Sequence, residues 1–300
     1  MAQAGASVVI VGHNETKARA VLQNMSAVSK FPGEQKFKAY AVDLSTVKGG
    51  LSLTQQLTGN KTRFDYVILT VGMWPDWKHP LTADGLDKVI ALDVISRYLV
   101  TREILPLLNP NARVMSVLAS GWRFIFWRDL VSITGDAMKA IALGKSEHHY
   151  SLPEMLGTAG TISDTWLQLM AKRHPEVGFV GTFPGVVATD LLDHGTFPKW
   201  LIPFVNRGMK EAGLDPVECG RLHATMISSP NAVRRPATYF SVHQASLQPN
   251  QPSSVKLEGR FANSLAYDAD FGQWVWSFLE ETIANHTLVA EKGSYDALIV

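Results

Sequence analysis

The sequence predicts an α/β fold, in which a doubly wound parallel sheet carries helices on both faces. Short apolar runs alternate with stretches of helical period over most of the chain, the order that builds parallel sheets from βαβ units. Runs such as VILTV (Val67 to Val71) are continuously apolar rather than alternating, which suits strands buried on both sides. No shift in composition is sharp enough to mark a second domain, so residues 1–300 are expected to form one unit with a substrate-side extension around 190–270.

The elements follow in order. Val8 to Gly12 (VVIVG) reads as a buried strand, and Glu15 to Met25 as a helix capped by Asn14. Lys36 to Val42 is a strand ending at Asp43-Leu44. Thr46 to Leu57 is a weaker helix because Gly49-Gly50 falls inside it. Phe64 to Val71 is the strongest strand signal. From Leu86 to Leu108, Val89, Leu92, Ile95, Leu99 and Ile104 recur at three- and four-residue steps, as one helix face does. Arg113 to Leu118 is a strand, Thr161 to Arg173 an amphipathic helix, and Gly178 to Phe183 a strand running into Pro184-Gly185. Asp215-Pro216-Val217-Glu218 opens a helix with an N-cap Asp, a first-turn Pro and a Glu. Ala237 to Val242 is the expected last strand, 244–260 a polar loop or flap, and Phe271 to Asn285 a closing helix rich in Trp and Phe.

Bulk properties exclude several classes of function. The 28 basic and 27 acidic residues give a net charge of +1, with no footprint for nucleic acid or an anionic surface. Cys219 is the one cysteine, so the chain has no intramolecular disulfide and no cysteine-based metal site. That fits a reducing compartment, and a cytoplasmic protein is expected. No apolar run reaches the ~18 residues of a membrane span, and the first residues lack a basic-then-apolar leader pattern. The histidines form no HExxH-type pair and no carboxylate cluster has ligand spacing, so no metal is expected.

Four motifs in order carry a family resemblance. VVIVGHNETKA, AVDLS, LTVG (Leu69 to Gly72) and PGVVATDL (Pro184 to Leu191) resemble segments of the short-chain dehydrogenase/reductases over roughly residues 1–230. RVMSVLASG, YSL and FVGTFPGVVATDL are similar to a divergent subgroup common in fungi, often near natural-product pathways. The resemblance implies a Rossmann-like fold and NAD(P)-dependent ketone/alcohol interconversion. It places His13, Asn14 and Lys17 in the turn that discriminates the cofactor, Asp43 at the adenine, Gly72 beside a ribose, and Val187 and Thr189 beside the nicotinamide. No acid follows the strand at His13-Asn14, where one would hold the ribose hydroxyls of NAD. A neutral turn with Lys17 nearby suits a 2′-phosphate, so NADP is the expected cofactor. A plain N-cap turn with a surface lysine fits the same residues. Asp43 equally caps the following turn, and Thr189 equally serves as an N-cap.

The family's catalytic residues are altered here. The family uses Tyr as acid/base, a Lys four residues later to lower the Tyr pKa, a Ser and a helix Asn. Counted back from Pro184-Gly185, the Tyr position falls on Glu154 and the Lys position on Thr158. The helix Asn falls on Asp93, and the Ser on Ala119 with Ser120 beside it. Replacement candidates are Tyr150, beside His148 and His149, with Ser120, and a carboxylate pair of Asp93 and Glu154 sharing a proton. Two histidines in a polar loop also read as a solvated turn, and Glu154 as a residue favoured by the helix dipole.

Trp122 to Trp127 (WRFIFW), with Trp74 and Trp77, provide aromatic surface for a bulky apolar substrate. A packed lid, or a membrane-interface patch flanked by Arg123 and Arg128, fits the same residues. A small-molecule substrate is therefore expected, with no nucleic acid, and the oligomeric state is open. Two readings follow: an NADP-dependent oxidoreductase, or a catalytically degenerate member acting as a partner subunit or a non-redox enzyme. The sequence shows no Gly-rich phosphate turn, and AQAGAS before the first strand reads like a helix end. The expectation is a chain lacking the first strand and phosphate-binding turn. VVIVG would then face a gap in the sheet or pair directly with YVILTV.

Overall fold

The computed structural model describes residues 1–74, 80–118, 134–145, 152–185, 187–189, 202–229, 237–241, 247–248, 251–255, 259–260 and 264–296. It is α/β with parallel sheets, as the alternation predicts. Strand β1 (Val8–Gly12), helix α1 (Glu15–Ala27), strand β2 (Phe37–Ala41), helix α2 (Val47–Gly59) and strand β3 (Phe64–Leu69) open the chain. One long helical rod follows, made of α3 (Lys88–Ile90), a π segment (Ala91–Ile95) and α4 (Ser96–Ile104). Strand β4 (Leu108–Val117), α5 (Gly135–Ala142), α6 (Leu152–Arg173) and β5 (Gly178–Phe183) come next. Then come α7 (Ile202–Ala212), α8 (Pro216–Ser228), β6 (Thr238–Ser241), β7 (Leu247–Gln248), β8 (Gln251–Val255), β9 (Gly259–Arg260) and α9 (Ala269–Asp296).

The strands fall into separate sheets. β1 pairs with β2 in parallel, while β3-β4-β5-β6 form a parallel sheet closed by antiparallel β9. β7 and β8 make a small antiparallel hairpin where the sequence suggested only a loop. Among the described residues no strand pairs with β1 opposite β2, or with β3 opposite β4. Direct pairing of VVIVG with YVILTV, one expected outcome, is therefore not seen. Val9 and Val11 face the main core together with α2, so the alternating Val8 and Ile10 face the other side.

Packing follows this layout. The main core joins α2, α4, α6 and α9 over one face and includes Leu53, Tyr98, Leu99, Trp166 and Leu279. A smaller cluster on the other face packs Met115 and Val180 under Leu222, Met226 and Ile227 of α8. The strand VVIVG, expected to be buried, is half-buried at every residue, whereas β5 is buried at all but its last. An unpaired edge explains the difference better than composition, because both strands are apolar.

Local chemistry sets the helix ends. Asn14 caps α1 by accepting from the Lys17 amide at 2.9 Å, and Asp215 caps α8 by accepting from Val217 and Glu218. Gly49 and Gly50 do not weaken α2 by chance. A β-carbon on Gly49 would lie 1.8 Å from the Asp43 carbonyl oxygen, and one on Gly50 would lie 2.6 Å from Leu99 Cδ2. Both glycines are spaces that let α2 close on its neighbours.

Candidate functional site

The carboxyl ends of β1 and β2 place His13, Asn14, Lys17 and Asp43 together on an exposed rim. The Asn14 carboxamide is the α1 cap, which supports the N-cap reading of that residue. Asp43 Oδ1 accepts from the Ser45 amide at 2.8 Å, so Asp43 does cap the turn into α2. Partial burial pushes its carboxyl upward. The Ser45 hydrogen bonds and the charges of Lys88 and His13 outweigh that and hold it below its ordinary value. The rim therefore carries a fixed negative charge at Asp43 beside basic groups at His13 and Lys88.

The end of β3 is organised by groups on the helical rod. Gly72 is exposed, and a β-carbon there would lie 2.4 Å from Asp93 Oδ1 and 3.2 Å from Arg97 Nη2. Gly72 is thus glycine because Asp93 and Arg97 crowd it from behind, and its φ is not among the positive ones. Asp93 Oδ1 accepts from the Met73 amide at 3.0 Å. Arg97 is fully buried and donates to Val71 O from Nε at 2.8 Å, to Ser116 Oγ at 2.9 Å and to Val117 O at 2.8 Å. It ties the ends of β3 and β4 together. The π segment offsets the Asp93 backbone, and Ser163 Oγ on α6 donates to the Asp93 carbonyl at 3.2 Å.

Asp93 lies under the electrostatic influence of Arg97, four residues on. The charged groups acting on the Asp93 carboxyl are Arg97 and Asp87, and Glu154 stands half-buried in the first turn of α6. One turn on, Thr158 is fully buried, and its hydroxyl has no hydrogen-bond partner among the described residues. A neutral, buried hydroxyl therefore stands where the resemblance puts a lysine. Val187 forms a parallel bridge with Leu214, and Thr189 is exposed with its amide donating to Val187 O at 2.8 Å. Tyr150, Ser120, His148, His149, Ala119, Trp77 and the Trp122 to Trp127 segment lie outside the described residues. Trp74 is half-buried, with an unpartnered indole N–H.

Motif spacing missed Arg97, Ser116 and Ser163. A signal for Arg97 was present: an Asp and an Arg four residues apart share a face of a helix that is otherwise apolar. Among the described residues no cluster of His, Cys, Asp or Glu could hold a metal, and no helix is long and apolar enough to cross a membrane.

No protein-family model matches the chain. The oxidoreductase AN1596 of Emericella nidulans is 24% identical over 293 residues, 94% of this chain and 78% of that protein. The short chain dehydrogenase/reductase dpchH of Colletotrichum higginsianum is 25% identical over 130 residues, 41% of this chain and 32% of that protein. A short-chain dehydrogenase/reductase from Serratia marcescens superposes with a TM-score of 0.56 at 14% identity, covering 80% of this chain and 87% of that one. One from Burkholderia cenocepacia, solved in complex with NADP, gives 0.57 at 12% identity over 80% and 87%. These structures share the fold. The sequence relatives carry the names of oxidoreductases, and the chain shares its fold with solved short-chain dehydrogenase/reductases.

Proposed function

We propose that the chain is an NADP-dependent oxidoreductase that interconverts a ketone and an alcohol on a bulky apolar metabolite, in a fungal secondary pathway. The carrying observation is the rim at the end of β1. No carboxylate stands in the turn after that strand, and Lys17 lies exposed at the start of α1. A 2′-phosphate would meet a cation there, whereas a ribose 2′-hydroxyl would lack its usual acceptor. The NADP complex of the Burkholderia neighbour is in keeping with this choice. The residues present fit a dinucleotide: His13, Asn14 and Lys17 at the phosphate-bearing ribose, Asp43 at the adenine and Gly72 beside a ribose.

When bound, the nicotinamide supplies the hydride. In this reading Val187 and Thr189 border the carboxamide, Ser120 holds the substrate oxygen, and Tyr150 moves the proton, with Asp93 and Glu154 as the other candidates for holding one. Residues 1–300 act as a single domain, with the 190–270 region on the substrate side. A cytoplasmic location is in keeping with the single cysteine. The aromatic side chains of 122–127 are in keeping with a bulky apolar substrate.

Fluorescence titration with NADPH and NADH tests this. NADPH is expected to bind about fivefold to tenfold more tightly, the worth of ~1 kcal/mol for one exposed charge contact. Lys17→Glu should erase that preference. Binding weaker than millimolar for both nucleotides would overturn the reading. A second reading, a degenerate member serving as a partner subunit or non-redox enzyme, is favoured by the buried Thr158 at the lysine position. Undiminished turnover in Tyr150→Phe would remove that tyrosine from the mechanism.

A further inference from the structure

Past Leu69 the β3 ladder ends, and among the described residues no strand pairs with the Thr70 to Trp74 turn. Two side chains from the helical rod do so instead. Arg97 fixes the carbonyl just before Gly72, at Val71, and Asp93 fixes the amide just after it, at Met73. The two peptide groups flanking Gly72 are therefore held by residues four apart on one rod. Gly72 itself stays exposed in front of them.

We propose that Asp93 and Arg97 are positioning residues that clamp the two peptides flanking Gly72, so that this turn meets the cofactor ribose as a rigid backbone edge. The proposal rests on the cofactor reading above. Three features make the clamp stiff. Arg97 spends its remaining donors on Ser116 Oγ and Val117 O, so its guanidinium plane is fixed by β4 as well as β3. Ser163 pins the Asp93 backbone from α6. Gly72 lets both side chains close on the turn, because a β-carbon there would collide with Asp93. A planar fork with several donors can serve two strands at once, which a lysine ammonium cannot do in the same geometry. Rigidity matters because a turn that must be ordered on binding lowers affinity by the cost of ordering it.

Backbone amide exchange and nucleotide titration on the full chain test this together. Asp93→Ala should speed exchange of the Met73 amide at least tenfold, while Asp93→Asn, which keeps an acceptor oxygen, should hold it within about threefold. Arg97→Lys should weaken NADPH binding about tenfold and loosen the Thr70 to Trp74 amides. In all three variants the Val114 to Ser116 amides of β4 should keep their protection. Unchanged Met73 exchange in Asp93→Ala overturns the clamp, and so does equal loss of protection across β4, which would mark a general structural role. Lost Met73 protection with unchanged NADPH affinity overturns the positioning role. If the unmodified chain binds neither NADPH nor NADH, the cofactor reading falls, and the exchange comparison still decides the clamp.

Discussion

Asp93 carries opposing influences. Burial, the largest, and the nearby Asp87 push its carboxyl up, while Arg97 and the Met73 amide pull it down; the balance leaves it at about 7. Burial likewise lowers Arg97 to about 10, with Asp93 opposing. A carboxyl whose folded value exceeds its unfolded one holds its proton more tightly in the folded state. The stability from Asp93 is therefore fully present below about 4, falls as pH rises through 4 to 7, and stays level above that. Asp93→Asn removes this titration. The variant should gain on the unmodified protein by about 3 kcal/mol between pH 5 and pH 8, at ~1.4 kcal/mol per unit. Urea unfolding at the two pH values measures it, and an equal difference at both would show that Asp93 titrates normally.

At the scale of elements, α2 shows what a sequence hides. Two adjacent glycines lower helix propensity by about 1 kcal/mol each, so on propensity alone replacing either should help. Their surroundings reverse that expectation. The β-carbon of Gly49→Ala would press on the backbone carbonyl of Asp43, which cannot rotate away. That of Gly50→Ala would press on the end of Leu99, a side chain that is fully buried but flexible. Gly49→Ala should therefore lose more stability than Gly50→Ala, with the latter at about 1–2 kcal/mol after the propensity gain. Chemical denaturation of the two variants checks the order. Legibility divides along the same line. Strands β1 to β6 and the Asn14 and Asp215 caps could be read because each rests on local periodicity or a contiguous motif. The two glycine spaces, the Arg97 links to Val71 and Ser116, and the Thr158 hydroxyl could not, because each depends on what a distant segment brings up against it. The docking of α9 is of the second kind too. Tyr98 donates to Glu280, Arg102 reaches Glu280 at 2.7 Å, and Arg173 lies 3.7 Å over the Trp276 ring. The sequence showed an aromatic helix but not the partners that seat it.

At the scale of the whole molecule, the division into two sheets is the feature with the widest consequence. The Val8 amide donates to Lys36 O, and Gly12 O accepts from the Val42 amide. In a parallel pair, the amide and carbonyl of one residue point the same way and alternate residues point oppositely. Val8, Ile10 and Gly12 therefore bond to β2, and the backbone groups of Val9 and Val11 point away from it. Among the described residues no strand pairs with that edge. The side chains of Val9 and Val11 nonetheless pack on the main core, so this edge is apolar in its side chains and unmatched in its backbone. An unpaired edge within a doubly wound sheet should open locally at much lower free energy than its paired neighbours. Amide exchange should therefore alternate along β1, with Val9 and Val11 fast and Ile10 slow. The buried β5 amides of Phe179 to Thr182 should be slower than all three. Uniform slow exchange along β1 would mean that a further strand pairs with that edge in solution, and the sheet would then be continuous from β2 to β9.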